Sequence, residues 1–172
     1  MSETFPIPNL IPKPPSQFGD FNWDKASDSL FPKAYNLVSK AKHNPVFAEG
    51  LQMVMSLKQN DALIMLQQMI IKHQSDYIKT NGEDAMFTKR SLNANRIKLK
   101  RYQRTRNALI SQYDDRKLEN QSIQAEYDET EICIDQMLEI IAPQWLEMDL
   151  GTKASYQSVL LQLLDFYLLS DK

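Results

Sequence analysis

The sequence predicts an all-α fold. It reads as an N-terminal helical cluster, a long central coiled-coil-like helix or an antiparallel helical hairpin in its place, and a C-terminal amphipathic helix. Glycine is scarce, four in 172 residues, whereas an all-β chain needs it for tight turns. From Ala85 to Ala142 there is neither glycine nor proline. Through most of the chain, apolar residues recur at helical rather than strand spacing.

Residues 1–21 contain Pro6, Pro8, Pro12, Pro14 and Pro15. Proline fixes φ and removes a donor, so this stretch reads as an extended tail. Pro12-Lys13-Pro14-Pro15 fits a PxxP docking peptide, but no basic residue stands at the flanking position. The apolar residues Phe5, Ile7, Leu10, Ile11, Phe18, Phe21 and Trp23 favour packing against a partner or the chain's own core. Residues 22–84 form the helical cluster. Asp24 caps a short helix that Pro32 interrupts. A helix then runs from about Pro32 to His43, with proline at its first position, and Asn44-Pro45 ends it. The next spans about Val46 to Lys58. A fresh cap at Asn60 or Asp61 starts another, which reaches about Lys79. Its apolar run from Ala62 to Ile71 marks the most buried element. Asn81-Gly82 is the clearest turn signal.

Residues 85–142 form the charge-segregated segment. Between Lys89 and Arg106 there are eight basic residues and no acid; from Glu119 to Asp149 there are nine acids and no Lys or Arg. A heptad frame places Leu99, Arg106, Tyr113, Asn120, Tyr127, Ile134 and Ile141 at a, and Tyr102, Leu109, Arg116, Ile123, Thr130 and Met137 at d. Nine of these thirteen positions are apolar or aromatic, a coiled-coil pattern. A continuous helix of this length would reach about 85 Å, so it would project or be covered by a partner. Residues 143–172 hold the last helix, from about Lys153 to Leu169 after Gly151, with a broad apolar face.

Bulk composition directs function away from several classes. The net charge is −2, so any electrostatic partner is chosen locally. A single cysteine, Cys133, excludes an internal disulfide and suits a reducing compartment. No signal or transit peptide is visible and no apolar run nears a membrane span. The chain therefore reads as soluble and intracellular, cytoplasmic with the nucleus left open. Phosphate-binding glycine loops are missing. His43 and His73 stand in no metal-binding spacing. Glu126, Asp128, Glu129, Glu131 and Asp135 spread around a helix as a solvated face. Cys133 has acidic neighbours that raise its pKa. The chain reads as non-enzymatic, with no catalytic residue, cofactor or metal expected.

The charge inversion is a pairing device. Two such helices laid head to tail place the basic half of each against the acidic half of the other. A hairpin turning near Gln112 to Asp115 would let the halves answer each other within one chain, with Asp114-Asp115 as cap. In a third reading Lys98, Lys100, Arg101, Arg104 and Arg106, with Tyr102, contact nucleic-acid phosphates. These bases lie nearly all round the cylinder, which favours protein pairing. The chain is therefore expected to be an adaptor, scaffold or structural subunit of a homo- or hetero-oligomeric complex. Its expected partner seam is Leu99, Tyr102, Leu109, Tyr113, Ile123, Tyr127, Ile134 and Met137. Arg96, Lys98, Arg101, Arg104, Glu126, Glu129 and Glu131 would set polarity. The alternative is a nucleic-acid-associated factor acting through residues 89–106.

Overall fold

Five α-helices, with no strand among them, make up the residues that the computed structural model describes, 23–82 and 85–169. They are α1 (Trp23–His43), α2 (Pro45–Asn81), α3 (Met86–Lys117), α4 (Gln121–Ile141) and α5 (Leu150–Leu169). A single 3-10 turn, Trp145–Glu147, lies between the last two. The proline-rich tail read at residues 1–21 lies outside the described residues.

Local chemistry starts three helices. Asn44 Oδ1 accepts from the Phe47 amide at 3.1 Å and Pro45 follows as the first helical residue, where its missing N–H costs nothing. Asn120 Oδ1 accepts from Ile123 N at 2.9 Å, and Asp149 Oδ1 accepts from Thr152 N at 2.7 Å. At Asn81-Gly82 the chain turns as read: Gly82 takes φ +32° and its amide reaches back to the Ile78 carbonyl.

Two expected interruptions are absent. Helix α1 runs straight through Pro32. The carbonyl that Pro32 leaves without a donor belongs to Asp28, which is exposed to water. Leu30 before the proline and Ala34, Leu37, Val38 and Ala41 after it bury one continuous face, and that burial offsets a proline cost of about 3 kcal/mol. Helix α2 likewise continues through Asn60 and Asp61 for 37 residues. These two are not caps. Asn60 is buried and Asp61 pairs with Arg106 of α3 at 2.5 Å.

The segment 85–142 is two helices rather than one rod. The break lies at Leu118–Asn120, several residues beyond the Gln112–Asp115 turn expected for a hairpin. Nor do its two halves chiefly cover each other. Helix α3 packs along α2, and α4 packs on α1 and α2. The pairing of α3 with α2 is antiparallel: Arg116 meets Glu49 near one end and Ser91 meets Gln74 near the other. Helix α4 runs parallel to α2, with Tyr127 at Glu49 and Asp135 at Lys58. Helix α5 packs along α2 and begins one turn earlier than expected, at Leu150. Gly151 sits inside it beneath the Met69 side chain, whose flexible end lies 2.5 Å from where a Cβ would stand.

The helices share one apolar core, which includes Leu30, Phe47, Leu51, Tyr127, Ile134, Met137, Leu160, Leu163 and Tyr167. The distal part of the α2–α3 pair differs. Past Gln67 no residue of α2 is buried, and α3 buries only Leu92 and Tyr113. An amide ladder joins the two helices there. Gln67 Nε2 donates to the Asn95 carbonyl at 3.2 Å, Asn95 Nδ2 to Gln74 Oε1 at 2.9 Å, and Gln74 Nε2 to Ser91 Oγ at 2.8 Å. This pair forms an arm on the five-helix body.

Candidate interaction surface

The seam residues fall on the inner faces of their helices, and the chain's own helices cover them. In α4 the six a and d positions Ile123, Tyr127, Thr130, Ile134, Met137 and Ile141 are its six buried residues. Tyr113 is buried, and Leu99, Tyr102 and Leu109 are half-buried. The heptad frame thus finds the buried face, but α1 and α2 occupy the place assigned to a partner. Tyr113, Ile123, Tyr127, Ile134 and Met137 are core residues that a docking surface does not reach in this conformation.

The most constrained contact joins α2, α3 and α4. The rings of Tyr113 and Tyr127 stack at 5.2 Å. Tyr113 Oη donates to Glu131 Oε2 at 3.0 Å. Tyr127 Oη donates to Glu49 Oε1 at 2.5 Å, and Arg116 Nε reaches the same oxygen at 2.6 Å. Burial first, and the Glu49 carboxylate second, push the Tyr127 hydroxyl up to about 12. Burial and the Glu131 charge raise Tyr113 as well. The bonds from Arg116 and then Tyr127 hold Glu49 below the ordinary carboxylate range.

A lowered folded pKa gives stability that is present above the unfolded value and lost as pH falls through the folded one. Above about pH 5, Glu49→Gln is therefore expected to lower stability, by about 1 kcal/mol at most because the carboxylate is partly solvated. The gap should close as pH falls through and below the carboxylate range. Urea titrations of both proteins at several pH values measure it. A gap that widens in acid refutes this role for Glu49.

The polarity residues separate into two groups. The acids of α4 are largely answered inside the chain. Lys40 of α1 approaches Glu129 at 2.5 Å and Glu126 at 3.6 Å; Lys58 of α2 pairs with Asp135 at 3.0 Å; Lys117 pairs with Asp128 at 2.5 Å. Glu131 accepts from Tyr113. Most of the bases of α3 are not answered in this way. Arg106 pairs with Asp61, and Arg116 with Glu49 and Glu119. Among the described residues, Lys89, Arg90, Arg96, Lys98, Lys100, Arg101 and Arg104 are exposed and have no carboxylate partner. Lys98 lies 6.0 Å from the centre of the Tyr102 ring. The structure does not bring Arg96, Lys98, Arg101 and Arg104 to the acids of α4.

Ile97 is a surface residue that the heptad reading passed over. It occupies the outermost f position and is 59% exposed, flanked at helical spacing by Arg90, Lys100, Arg101 and Arg104. A lone isoleucine at f among bases is the signal that marks it. Cys133 has its thiol pKa raised by burial and then by Glu129, in the direction the sequence indicates.

Among the described residues no helix is long and apolar enough to cross a membrane, and no group of three His, Cys, Asp or Glu side chains is placed to hold a metal ion. Comparisons of the chain with protein-family models, characterised proteins and solved structures find no match.

Proposed function

We propose that this chain is a non-catalytic helical subunit that assembles with another protein through the cationic outer face of α3. The observation that supports this reading is the unequal treatment of its charges. Four of the six acids of α4 have lysines beside them on α1, α2 and α3, whereas seven bases of α3 have no carboxylate among the described residues. The acidic helix α4 of a second copy offers chiefly acids that are already paired, so a different, acidic partner suits this face better. Ile97 adds an apolar centre to the ring of bases, which fits a protein surface with an apolar core and polar rim. A phosphate backbone has no use for it. The charges would set orientation and on-rate, and the buried apolar contacts would supply affinity.

The test is recovery of the tagged chain from its own cells, alone and with Arg90, Arg101 and Arg104 changed to Ser. The expected result is a co-purifying protein at fixed stoichiometry that survives nuclease treatment. The triple variant should bind it about tenfold or more weakly, since three exposed charge pairs together contribute roughly 1–2 kcal/mol. Wild-type binding should also weaken as salt rises. Release of the bound material by nuclease would move the assignment to phosphate contact by residues 89–106.

A further inference from the structure

The outer face of α3 is not the whole of the arm's open surface. On α2, Leu63, Leu66, Ile70 and Tyr77 are each more than a third exposed. Their spacings of three, four and seven place them on one side of the helix. The row begins in a cleft between α2 and α5, where Leu63 and Leu66 face Leu161 across a volume of about 300 Å³. It continues past the end of α5 onto the arm, where α2 buries nothing after Gln67. From Leu63 to Tyr77 the track is about 21 Å long at 1.5 Å per residue, the length of four helical turns.

Its border on α3 can be placed. Gln74 lies one turn from both Ile70 and Tyr77, and its amide donates to Ser91 Oγ at 2.8 Å. The row of α3 that contains Ser91 therefore flanks the track. One turn before Ser91 stands Phe87, 85% exposed; two turns after it stands Lys98, exposed and without a carboxylate among the described residues. Arg101 follows on the next turn towards the cationic face. An apolar track with a basic margin is complementary to an amphipathic helix whose apolar stripe is flanked by carboxylates.

Resting on the assembly reading above, we propose that the track from Leu63 to Tyr77 seats an acidic amphipathic helix of the partner, with Lys98 and Arg101 as its charged margin. A second copy is a poorer occupant. Its acidic helix α4 has one well-exposed apolar residue, Ile132, and the acids around it are paired within the chain. Residues 1–22 bring only Glu3 and Asp20 to set against these bases.

Two synthetic 18-residue peptides provide the probe. Both carry leucines at helical spacing, one with glutamates and one with lysines on the remaining positions. Binding to the full chain is read by fluorescence polarisation, and the footprint by hydrogen exchange. The glutamate peptide should bind and protect residues 63–77, and the lysine peptide should not bind. Ile70→Arg and, as a milder change, Leu63→Ser should each weaken binding about tenfold, and Lys98→Glu should weaken it severalfold. Circular dichroism verifies that each variant is folded. Binding unaffected by Ile70→Arg and Leu63→Ser refutes the track. If that binding is still lost in the Arg90, Arg101 and Arg104 variant, the cationic-face reading stands alone. Two further results would also overturn the proposal. One is a dimer that Ile70→Arg converts to monomer without peptide, which gives the track to a second copy. The other is exposure of residues 63–77 on deletion of residues 1–22, which gives it to this chain's own tail.

Discussion

Replacing Tyr127 with alanine should lower the unfolding free energy by about 3–5 kcal/mol, the range for losing a large buried aromatic side chain. The ring is fully buried where α2, α3 and α4 meet. Its removal leaves a cavity and withdraws the surface on which Tyr113 stacks. It also takes one of two donors from Glu49. Tyr127→Phe keeps the ring and deletes only the hydroxyl. Arg116 still serves Glu49 in that variant, so the cost should be about 1.5 kcal/mol, at the low end for a hydrogen bond to a charged group. Urea unfolding separates the two effects, provided the denaturant slope is unchanged. Against a total stability of about 5–15 kcal/mol for a typical domain, that loss is a large fraction of the whole. A cost below about 1.5 kcal/mol for alanine would mean that this junction is not where the core is fastened.

The second large effect is expected at Gly50, where α2 lies close against α4. A Cβ at this position would lie 2.8 Å from Cδ1 of Tyr127 and 3.3 Å from Oγ1 of Thr130. Tyr127 cannot move aside freely, because its hydroxyl is tied to Glu49 and its ring to Tyr113. Gly50→Val is therefore expected to cost about 3 kcal/mol through overpacking. Alanine opposes a smaller clash to a helix-propensity gain of about 1 kcal/mol. The discriminating experiment is a double-mutant cycle. In a Tyr127→Ala background, Gly50→Ala should become neutral or stabilising, because the atom it strikes has gone. An alanine cost that persists in that background would place the obstacle elsewhere.

Periodicity made the inner faces legible. The heptad frame of α4 identifies its six buried residues because a buried stripe must repeat at helical spacing, whatever covers it. It could not say what covers the stripe, since the pattern is the same for another chain and for a neighbouring helix. The helix starts at Asn44 and the turn at Gly82 were legible for a different reason: their chemistry is local. The break before α4 was not. Asn120 occupies a seam position and reads equally well as a polar register residue in a continuous helix. The cap itself is a local bond to Ile123 N, but the break is selected by the burial of α4 on α1 and α2, which no local signal records. The same dependence carries α1 through Pro32 and α2 through Asp61. Glu49, Lys40, Lys58 and Asp61, which answer the segregated charges, are isolated residues on other helices and follow no pattern in the sequence. Ile97 went unread because attention to buried periodicity passes over apolar residues on outer faces. The run from Ala62 to Ile71, read as the most buried element, instead leaves Leu63, Leu66 and Ile70 more than a third exposed, because an apolar run does not say which of its sides is covered.

The amide ladder of Gln67, Asn95, Gln74 and Ser91 has a mechanical consequence. None of these side chains carries charge or titrates near neutrality, so acid and salt act on the clasp at Glu49 and Arg116 without acting on the rungs. Helix α2 is about 55 Å long, from 37 residues at 1.5 Å each, and one end is rooted in the body while the other travels with α3. Conditions that loosen that clasp would free the C-terminal end of α3 while the ladder still holds its N-terminal half to α2. The two helices are thus fastened twice, by charge near the body and by neutral amides far from it.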